Sequence, residues 1–344
     1  MLDADVEVDR REFTVCATLR VAPGERLALF GPSGAGKTTL LEAIAGLVRP
    51  RRARVELGGR VLTSTESPGA CFVPPWQRRV GLLRQDPGLF PHLSVRGNLR
   101  YAPGVDPSGR ELAQVAEVLG LSGLLSAMPA RLSGGQAHRV ALGRLLLAHC
   151  EALLLDEPYT GLDASLRRVL TELVIELTGA RSVPAVLVAH ELAEAQAFAD
   201  RLAILDRGRL LQVGAPDEVV LRPASRRVAE LVGYLGFVTR REQDGAVAGI
   251  HPERVVAGAH PGHGVVLAGV VAGGRPAGAV WEADLRVGDE NVVCRLRERH
   301  AEAGGELVVT AIDPPWFGPD GAAIDPPGRP PAPAWPPDPE QIRT

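Results

Sequence analysis

The chain has 344 residues, of which 45% are hydrophobic, and a formal net charge of −3. This length suggests two domains with enough apolar material for buried cores, and the charge balance gives no sign of bulk nucleic-acid binding. Four widely separated cysteines, no signal-peptide pattern and no membrane-length apolar run point away from a disulfide framework, export and membrane-spanning helices, so we expect a cytoplasmic protein.

The amino-terminal region predicts a sheet followed by a phosphate-binding loop. Residues 1–20 alternate loosely between polar and apolar positions, which indicates antiparallel strands, and residues 26–30 form a short apolar run. The next residues fit G-x-x-x-x-G-K-[ST], and a helical pattern follows from Thr39 to Leu47. Because glycines let backbone N–H groups turn inward around phosphate oxygens, we assign nucleotide binding to Gly31, Pro32, Ser33, Gly34, Ala35, Gly36, Lys37, Thr38 and Thr39.

Two side chains carry the chemistry of this loop. Lys37 is the single lysine among 38 Lys and Arg residues. A lysine ammonium is a compact point charge and arginine a planar fork, so the two are not interchangeable at a phosphate. We expect Lys37 to reach the β- and γ-phosphates and the Thr38 hydroxyl to ligate Mg²⁺. The alternative, a chance glycine-rich turn, is disfavoured by the flanking strand and helix.

The middle of the chain predicts a hairpin, a strand and a mixed segment. Residues 49–65 favour a basic turn followed by a hairpin. Residues 80–84 form a strand that ends at Gln85, whose amide can reach a metal and an attacking water. Residues 86–103 are rich in loops, and residues 111–125 have a helical period.

A second anion cradle is predicted where another helix opens. The helix runs to Leu147, and its start combines a serine with two glycines, which leaves several N–H groups free to bind an anion. An ordinary helix cap is the alternative. The residues of this start are Ser133, Gly134, Gly135 and Gln136.

The ends of two later strands carry candidate catalytic groups. The apolar run 152–157 ends in two acids, of which Asp156 can hold Mg²⁺ and Glu157 can position or polarise the attacking water. A turn ending at Asp163 then leads into a helix. His190 ends the next apolar strand. A lone histidine is usually structural, but open α/β sheets place their chemistry at such strand ends.

The remainder of the chain changes character after Tyr234. Short strand patterns punctuated by Gly and Pro indicate a small β-barrel over residues 236–312. The residues after Ile312 are rich in Pro and Gly, so we expect 313–344 to form a disordered tail. The first domain is then residues 1–235.

The ordered set of motifs resembles the ATPase subunit of an ABC transporter. Over about residues 1–235, this resemblance implies an α/β P-loop NTPase, an ABC ATPase core with antiparallel β and helical subdomains. It also implies ATP and Mg²⁺ as cofactors, and a homodimer that sandwiches two ATP molecules head to tail. The signature segment Ser133–Gln136 of one copy would complete the nucleotide site on Lys37 of the other, and Asp163 is also assigned to nucleotide binding. The motifs are the Gly31–Thr38 loop, Gln85, Leu132–Gln136, Leu153–Glu157, Asp163 and His190.

A finer resemblance points to import. Residues 85–101 are similar to bacterial importer ATPases, especially the molybdate (sulfate/molybdate-type) branch, and residues 236–312 resemble the small OB-like barrel of those importers. The resemblance implies transmembrane permease subunits as partners, a solute-binding protein acting indirectly, no nucleic acid, and a position on the inner face of the cell membrane through the permease. We assign no residue to adenine, because Val8 occupies the region where importers often have an aromatic, and Phe13 is expected in a strand.

Several alternatives stay open. The solute could be sulfate, ferric iron or a polyamine, since those importers share the same ATPase motifs. A soluble ABC ATPase without a membrane partner, or a regulatory protein with a vestigial ATPase, would also fit parts of the pattern. The first usually has two cassettes or a coiled-coil insertion, and the second is disfavoured by the complete set of candidate catalytic residues. For the barrel we favour a structural or regulatory role over direct oxyanion binding, because it has no lysine and few hydroxyl side chains.

Overall fold

The computed structural model describes residues 1–102, 109–240, 245–260, 262 and 264–326. These form two compact units, an amino-terminal unit (Met1–Val219) and a carboxy-terminal unit (Val220–Thr344). Among the described residues, no helix is both long and apolar enough to cross a membrane. The elements up to the boundary are β1 (Leu2–Asp9), β2 (Thr14–Val21), β3 (Arg26–Phe30), α1 (Lys37–Ala45), β4 (Arg52–Leu57), β5 (Arg60–Ser64), β6 (Cys71–Phe72), β7 (Val80–Leu83), α2 (Val95–Arg100), α3 (Arg110–Val118), α4 (Gly134–Leu147), β8 (Ala152–Asp156), α5 (Ala164–Arg181), β9 (Ala185–Val188), α6 (Leu192–Phe198), β10 (Arg201–Asp206), β11 (Arg209–Gly214) and α7 (Pro216–Leu221).

The strands of the amino-terminal unit form one sheet of eleven in the order β6-β5-β4-β1-β2-β11-β10-β3-β9-β8-β7. The antiparallel part pairs β1 with β2 and β4, as expected for residues 1–20. Phe13 was expected in a strand, but it lies in the loop just before β2. The strands β10, β3, β9, β8 and β7 run parallel. Every residue of β8 and β9 is buried, as expected for central parallel strands covered on both faces.

The helices α2 and α3 both pack against α4, which also packs against β7 of the sheet. The close packing of these helices depends on Gly143, because a Cβ there would lie 2.8 Å from both Leu99 and Leu119. We predicted a loop-rich segment over residues 86–103. Within it, Val95–Arg100 form the helix α2, which is capped by the Ser94 side chain. The helix is so short that its 3.6-residue period could not be recognised in the sequence.

In its described residues, the carboxy-terminal unit is a β-sheet preceded by the short helix α8. Nine strands lie in the order β14-β18-β15-β16-β17-β12-β13-β19-β20, and every neighbouring pair is antiparallel. Side chains from strands along the whole sheet meet in one apolar core, and β14 also contacts β17 although the two do not pair. The elements are α8 (Arg226–Leu231), β12 (Gly236–Arg240), β13 (Ala246–Ile250), β14 (Val255–Ala257), β15 (Gly264–Ala277), β16 (Val280–Val287), β17 (Glu290–Leu296), β18 (Glu306–Ile312), β19 (Trp316–Phe317) and β20 (Ala323–Ile324).

The limits of this unit differ from the expected ones at both ends. The boundary was expected after residue 235, but the compact units divide between Val219 and Val220. Tyr234 therefore belongs to the second unit, where it is buried and its ring lies 5.1 Å from that of His251. Residues 313–344 were expected to be disordered, yet 313–326 contain β19 and β20, and Trp316 and Phe317 are buried. Pairing of β19 with β13 makes these two aromatic residues part of the unit. The high Pro and Gly content of the segment gave no indication of this strand. Residues 327–344 lie outside the described residues.

Candidate nucleotide-binding and catalytic site

Four neighbouring parallel strands bring the candidate residues to one edge of the sheet. Leu29 of β3 and Asp156 of β8 both lie opposite Val188 of β9, and Leu83 of β7 lies opposite Leu155. Carboxyl ends of parallel strands meet at one edge, which is where open α/β sheets bind ligands. The residues just beyond these ends are Gly31, His190, Glu157 and Gln85.

The loop between β3 and α1 has a backbone that requires glycine. Gly31, Gly34 and Gly36 have φ angles of +154°, +80° and +105°, a region that residues with a Cβ rarely adopt. A Cβ on Gly31 would lie 1.9 Å from the Leu205 carbonyl oxygen, and one on Gly36 would lie 2.6 Å from Val15 Cγ2. The loop therefore packs tightly against the sheet and leads directly into the positive end of α1, which begins at Lys37.

Lys37 is held inside the loop. Its side chain is 9% exposed, and Nζ donates to the carbonyl oxygens of Gly31 at 2.7 Å and Pro32 at 2.9 Å. Burial lowers the pKa of Lys37, and the negative charges of Glu157 and Asp156 oppose that effect. The ammonium is therefore desolvated and close to two acids, which strengthens its attraction for a phosphate that displaces the carbonyl bonds.

Asp156 and Thr38 fit a magnesium site. Asp156 is 2% exposed, burial raises its pKa, and its Oδ1 has no hydrogen-bond partner among the described residues. Interaction with the Thr38 side chain opposes this rise in the pKa of Asp156. No group of three or more His, Cys, Asp or Glu that could hold a metal exists in the described part of the chain. One carboxylate and one hydroxyl suit Mg²⁺, which usually completes its octahedron with water and substrate phosphate oxygens.

The three candidate catalytic groups follow the carboxyl ends of β8, β9 and β7, at the same edge of the sheet as Asp156. Glu157 is half-buried and has a φ of +49°, a conformation uncommon for a residue with a side chain, and its N–H donates to the Val188 carbonyl at 3.2 Å. Backbone strain of this kind clusters at functional sites. His190 and Gln85 are exposed, so both are open to a substrate.

The signature segment Ser133–Gln136 is a capping box at the start of α4. The Ser133 hydroxyl accepts from the Gln136 N–H at 3.3 Å, and the Gln136 side chain accepts from the Ser133 N–H at 2.9 Å. No hydrogen bond joins this segment to residues 31–39 in the described part of the chain. A Cβ on Gly135 would lie 3.3 Å from the Gly161 carbonyl, so within one chain the segment lies beside the turn that follows β8.

Asp163 is the cap of α5. Its Oδ1 accepts from the Leu166 N–H at 3.0 Å and from the Ser165 hydroxyl at 2.5 Å, and the bond from Ser165 is the main cause of its lowered pKa. Asp163 is exposed, so its carboxylate is open to contact with a second molecule. These contacts show a structural role for Asp163 within the chain, and its assignment to the nucleotide stays a prediction.

Sequence reasoning missed Arg10 and His138. Arg10 Nε donates to Thr39 Oγ1 at 2.8 Å, so the Thr39 hydroxyl, which we assigned to the nucleotide, is already engaged by the β1–β2 loop. His138 is 4% exposed and its Nε2 lies 3.0 Å from the Pro158 carbonyl oxygen, which joins α4 to the turn after Glu157. No local pattern marks either residue, because each contact joins segments distant in sequence.

Comparison with known proteins identifies the fold of the amino-terminal unit. Residues 16–160 match the family model described as ABC transporter. A solved ATP-binding subunit of an ABC transporter superimposes with a TM-score of 0.57 at 28% identity, over 68% of this chain and 95% of that one. A dimeric ATP-binding cassette bound to ADP and phosphate aligns over 63% of this chain and 99% of its own, with a TM-score of 0.54 at 23% identity, and shows the fold alone. The unit therefore has the ABC ATPase variant of the P-loop NTPase fold.

The similarity to curated relatives covers only part of the length of each relative. The chain is 40% identical over 218 residues to the Fe(3+) ions import ATP-binding protein of Mesorhizobium japonicum, covering 62% of this chain and 59% of that protein. It is 41% identical to the molybdenum import ATP-binding protein of the same organism, covering 66% and 61%. It is 40% identical to the trehalose/maltose import ATP-binding protein of Thermococcus litoralis, covering 63% and 59%. The chain thus spans about three fifths of these relatives.

Proposed function

We propose that this chain, whose amino-terminal unit has the ABC ATPase fold, is the ATP-hydrolysing subunit of an ABC importer. One observation carries the proposal. Among the described residues, the buried Asp156 has one oxygen without a hydrogen-bond partner, and the nearby Lys37 is desolvated and donates to two loop carbonyls. Such a pairing of an unsatisfied acid with a poised cation suits the phosphates and metal of Mg-ATP.

In this proposal each residue has a separate task. Lys37 exchanges its bonds to Gly31 and Pro32 for oxygens of the β- and γ-phosphates, and the glycine-rich backbone donates N–H groups to the phosphate chain. Mg²⁺, held by Asp156 and Thr38, would neutralise charge that develops on the phosphates.

The residues beyond the strand ends act on water. Glu157 orients the attacking water and accepts its proton, and the strained backbone at this residue, with φ of +49°, supports a functional role. His190 and Gln85, which follow the strands on either side of β8, position the γ-phosphate and the water.

The proposed assembly is a head-to-tail homodimer bound to a permease. The start of α4 is proposed to offer the N–H groups of its first turn to a ligand, and a Cβ on Gly134 would meet no described atom within 4 Å, so there is open space at this residue. Since no hydrogen bond links this cradle to the loop of the same chain among the described residues, a second copy would supply it. The relatives named as import ATP-binding proteins support permease partners and a position at the inner face of the membrane.

The solute is a separate part of the proposal. Molybdate or a related oxyanion is our choice, and the 41% identity to a molybdenum import ATP-binding protein supports it. Ferric iron has equal support from the iron import relatives, so the cassette by itself does not discriminate between these solutes. Uptake of radiolabelled molybdate and of ferric iron by cells that lack this chain would decide: loss of iron uptake alone would refute the molybdate choice.

Steady-state hydrolysis of ATP by the purified chain tests the activity. We expect Glu157→Gln to bind ATP but to turn over about 10²-fold or more slowly, because water loses its orienting base. Glu151→Gln is the matched control, since Glu151 lies at the opposite end of β8 and pairs with Arg79 at 2.9 Å on the surface. Normal turnover by Glu157→Gln, or no hydrolysis by the unmodified chain, would refute the proposal.

A further inference from the structure

The loop between β1 and β2 is docked on the first turn of α1. It is closed by a bond from the Arg10 N–H to the Phe13 carbonyl at 2.9 Å. Arg10 Nε donates to Thr39 Oγ1 at 2.8 Å, and a Cβ on Gly36 would lie 3.5 Å from Phe13 Cε2. Two residues of the loop therefore contact the phosphate-binding segment, one by a hydrogen bond and one by packing.

The guanidinium of Arg10 is oriented but not neutralised. Its Nε is occupied by Thr39, and no carboxylate pairs with Arg10 in the part of the chain that the structure describes. The adjacent acid, Asp9, accepts from the Thr14 hydroxyl at 2.9 Å instead. An arginine held through Nε presents its two terminal nitrogens as a fork, the geometry that binds a phosphate through two hydrogen bonds.

The position along α1 indicates which phosphate this fork would meet. In a phosphate-binding loop, the lysine and the following threonine serve the β- and γ-phosphates and the metal, and backbone N–H groups hold the α- and β-phosphates. Thr39 is the next residue along the helix after that pair. Its hydroxyl accepts from Arg10 and retains its own proton, so it can still donate to an oxygen of the same phosphate.

We propose that Arg10 is a nucleotide-binding residue that grips the α-phosphate of ATP. This inference rests on the proposed function and adds a contact from outside the loop motif. It explains why an exposed arginine is fixed to a buried threonine at this point. The contact is to phosphate, so it is independent of the base and also accepts other nucleotides and inorganic triphosphate.

Titration calorimetry of the full chain with Mg-ADP, Mg-GDP and magnesium triphosphate tests this inference. Arg10→Gln removes the charge and keeps a donor for Thr39, and Arg11→Gln removes the same charge from the neighbouring exposed position. We expect Arg10→Gln to weaken all three ligands by a similar factor of about tenfold or more, as for loss of a charge-assisted hydrogen bond. Arg11→Gln should change each affinity less than about twofold. The melting temperature without ligand checks that both variants fold.

Other outcomes would overturn the inference in distinct ways. Unchanged affinity in Arg10→Gln would exclude the contact, and equal losses in both variants would show general charge attraction. A loss for ADP but not for triphosphate would show contact with the nucleoside instead. Full affinity in Arg10→Lys would also count against the fork, because one ammonium cannot hold Thr39 and a phosphate in the same way. If the unmodified chain binds none of the three ligands, the proposed function itself fails.

Discussion

Substituting Asp156 by Asn should stabilise the nucleotide-free protein while it abolishes hydrolysis. In the folded chain this carboxylate is 2% exposed, and its Oδ1 has no hydrogen-bond partner among the described residues. Burial raises its pKa, and the nearby Glu157 and Glu42 add repulsion that exceeds the attraction of Lys37. The buried charge therefore lowers the free energy of unfolding of the nucleotide-free protein. A neutral amide of the same shape removes this destabilisation.

The size of the effect follows from the contacts. A buried polar atom without a partner costs about 1–3 kcal/mol, and charge on it costs more. The amide must itself be accommodated beside Thr38 and Lys37, so we expect a net gain near the lower limit, about 1 kcal/mol. For a unit of this size, that gain raises the melting temperature by about 2–4 °C.

The gain depends on pH in a defined direction. Because the folded-state pKa of Asp156 lies above its ordinary value of 3.8, the folded chain binds a proton more readily than the unfolded chain. The destabilisation by the ionised carboxylate is absent below pH 3.8, and it grows as the pH rises from that value through the folded-state pKa. The advantage of Asp156→Asn should therefore be larger at pH 8 than at pH 5, and it should vanish near pH 4.

Thermal unfolding with and without Mg-ATP is the assay. Mg-ATP should stabilise the unmodified chain more than Asp156→Asn, because the variant has lost a metal ligand. Asp5→Asn is the control, since Asp5 is exposed on β1 and its substitution should change stability by less than about 0.5 kcal/mol. A variant that melts below the unmodified chain at pH 8 without nucleotide would refute the reasoning.

Two further predictions concern the signature helix. Glu157→Gln with ATP should elute from a sizing column as a dimer. Adding Ser133→Arg should return it to a monomer, because the bulky side chain fills the exposed cradle. A persistent dimer would contradict the head-to-tail arrangement. Burial lowers the pKa of His138, so its contribution to stability is complete above pH 6.5 and is lost as the pH falls through the lowered folded-state value. His138→Gln should therefore flatten the acid limb of the stability profile measured by urea unfolding, and an unchanged limb would count against this assignment.

The phosphate-binding loop could be recognised in the sequence because its requirements are local. The glycines at 31, 34 and 36 have backbone angles that favour glycine, and Lys37 opens the helix that follows them. The apolar runs that became β8 and β9 were also recognised, since central parallel strands are apolar throughout. Resemblance to ABC ATPases supplied the order of the motifs, and the structural comparisons confirm that fold.

Residues 313–326 show where local composition misleads. The segment is rich in Pro and Gly, yet Trp316 and Phe317 are buried and their strand pairs with β13. The pairing partner lies far away in the sequence, so no local pattern could indicate that these aromatic residues have a core to enter. The helix α2 was missed for a related reason, because six residues contain too few turns to show a period.

The sequence by itself determined the chemistry that is available, since it contains one lysine, an acid pair at a strand end, and glycines at the turns of the loop. Tertiary structure decided which of these groups meet and in what electrostatic state. The parallel register brings Asp156 to the same sheet edge as the loop, and among the described residues its buried Oδ1 has no partner. Folding of the β1–β2 loop fixes Arg10 to Thr39. The physical reason is that motifs are read from neighbours along the chain, whereas desolvation and hydrogen-bond partners depend on neighbours in space.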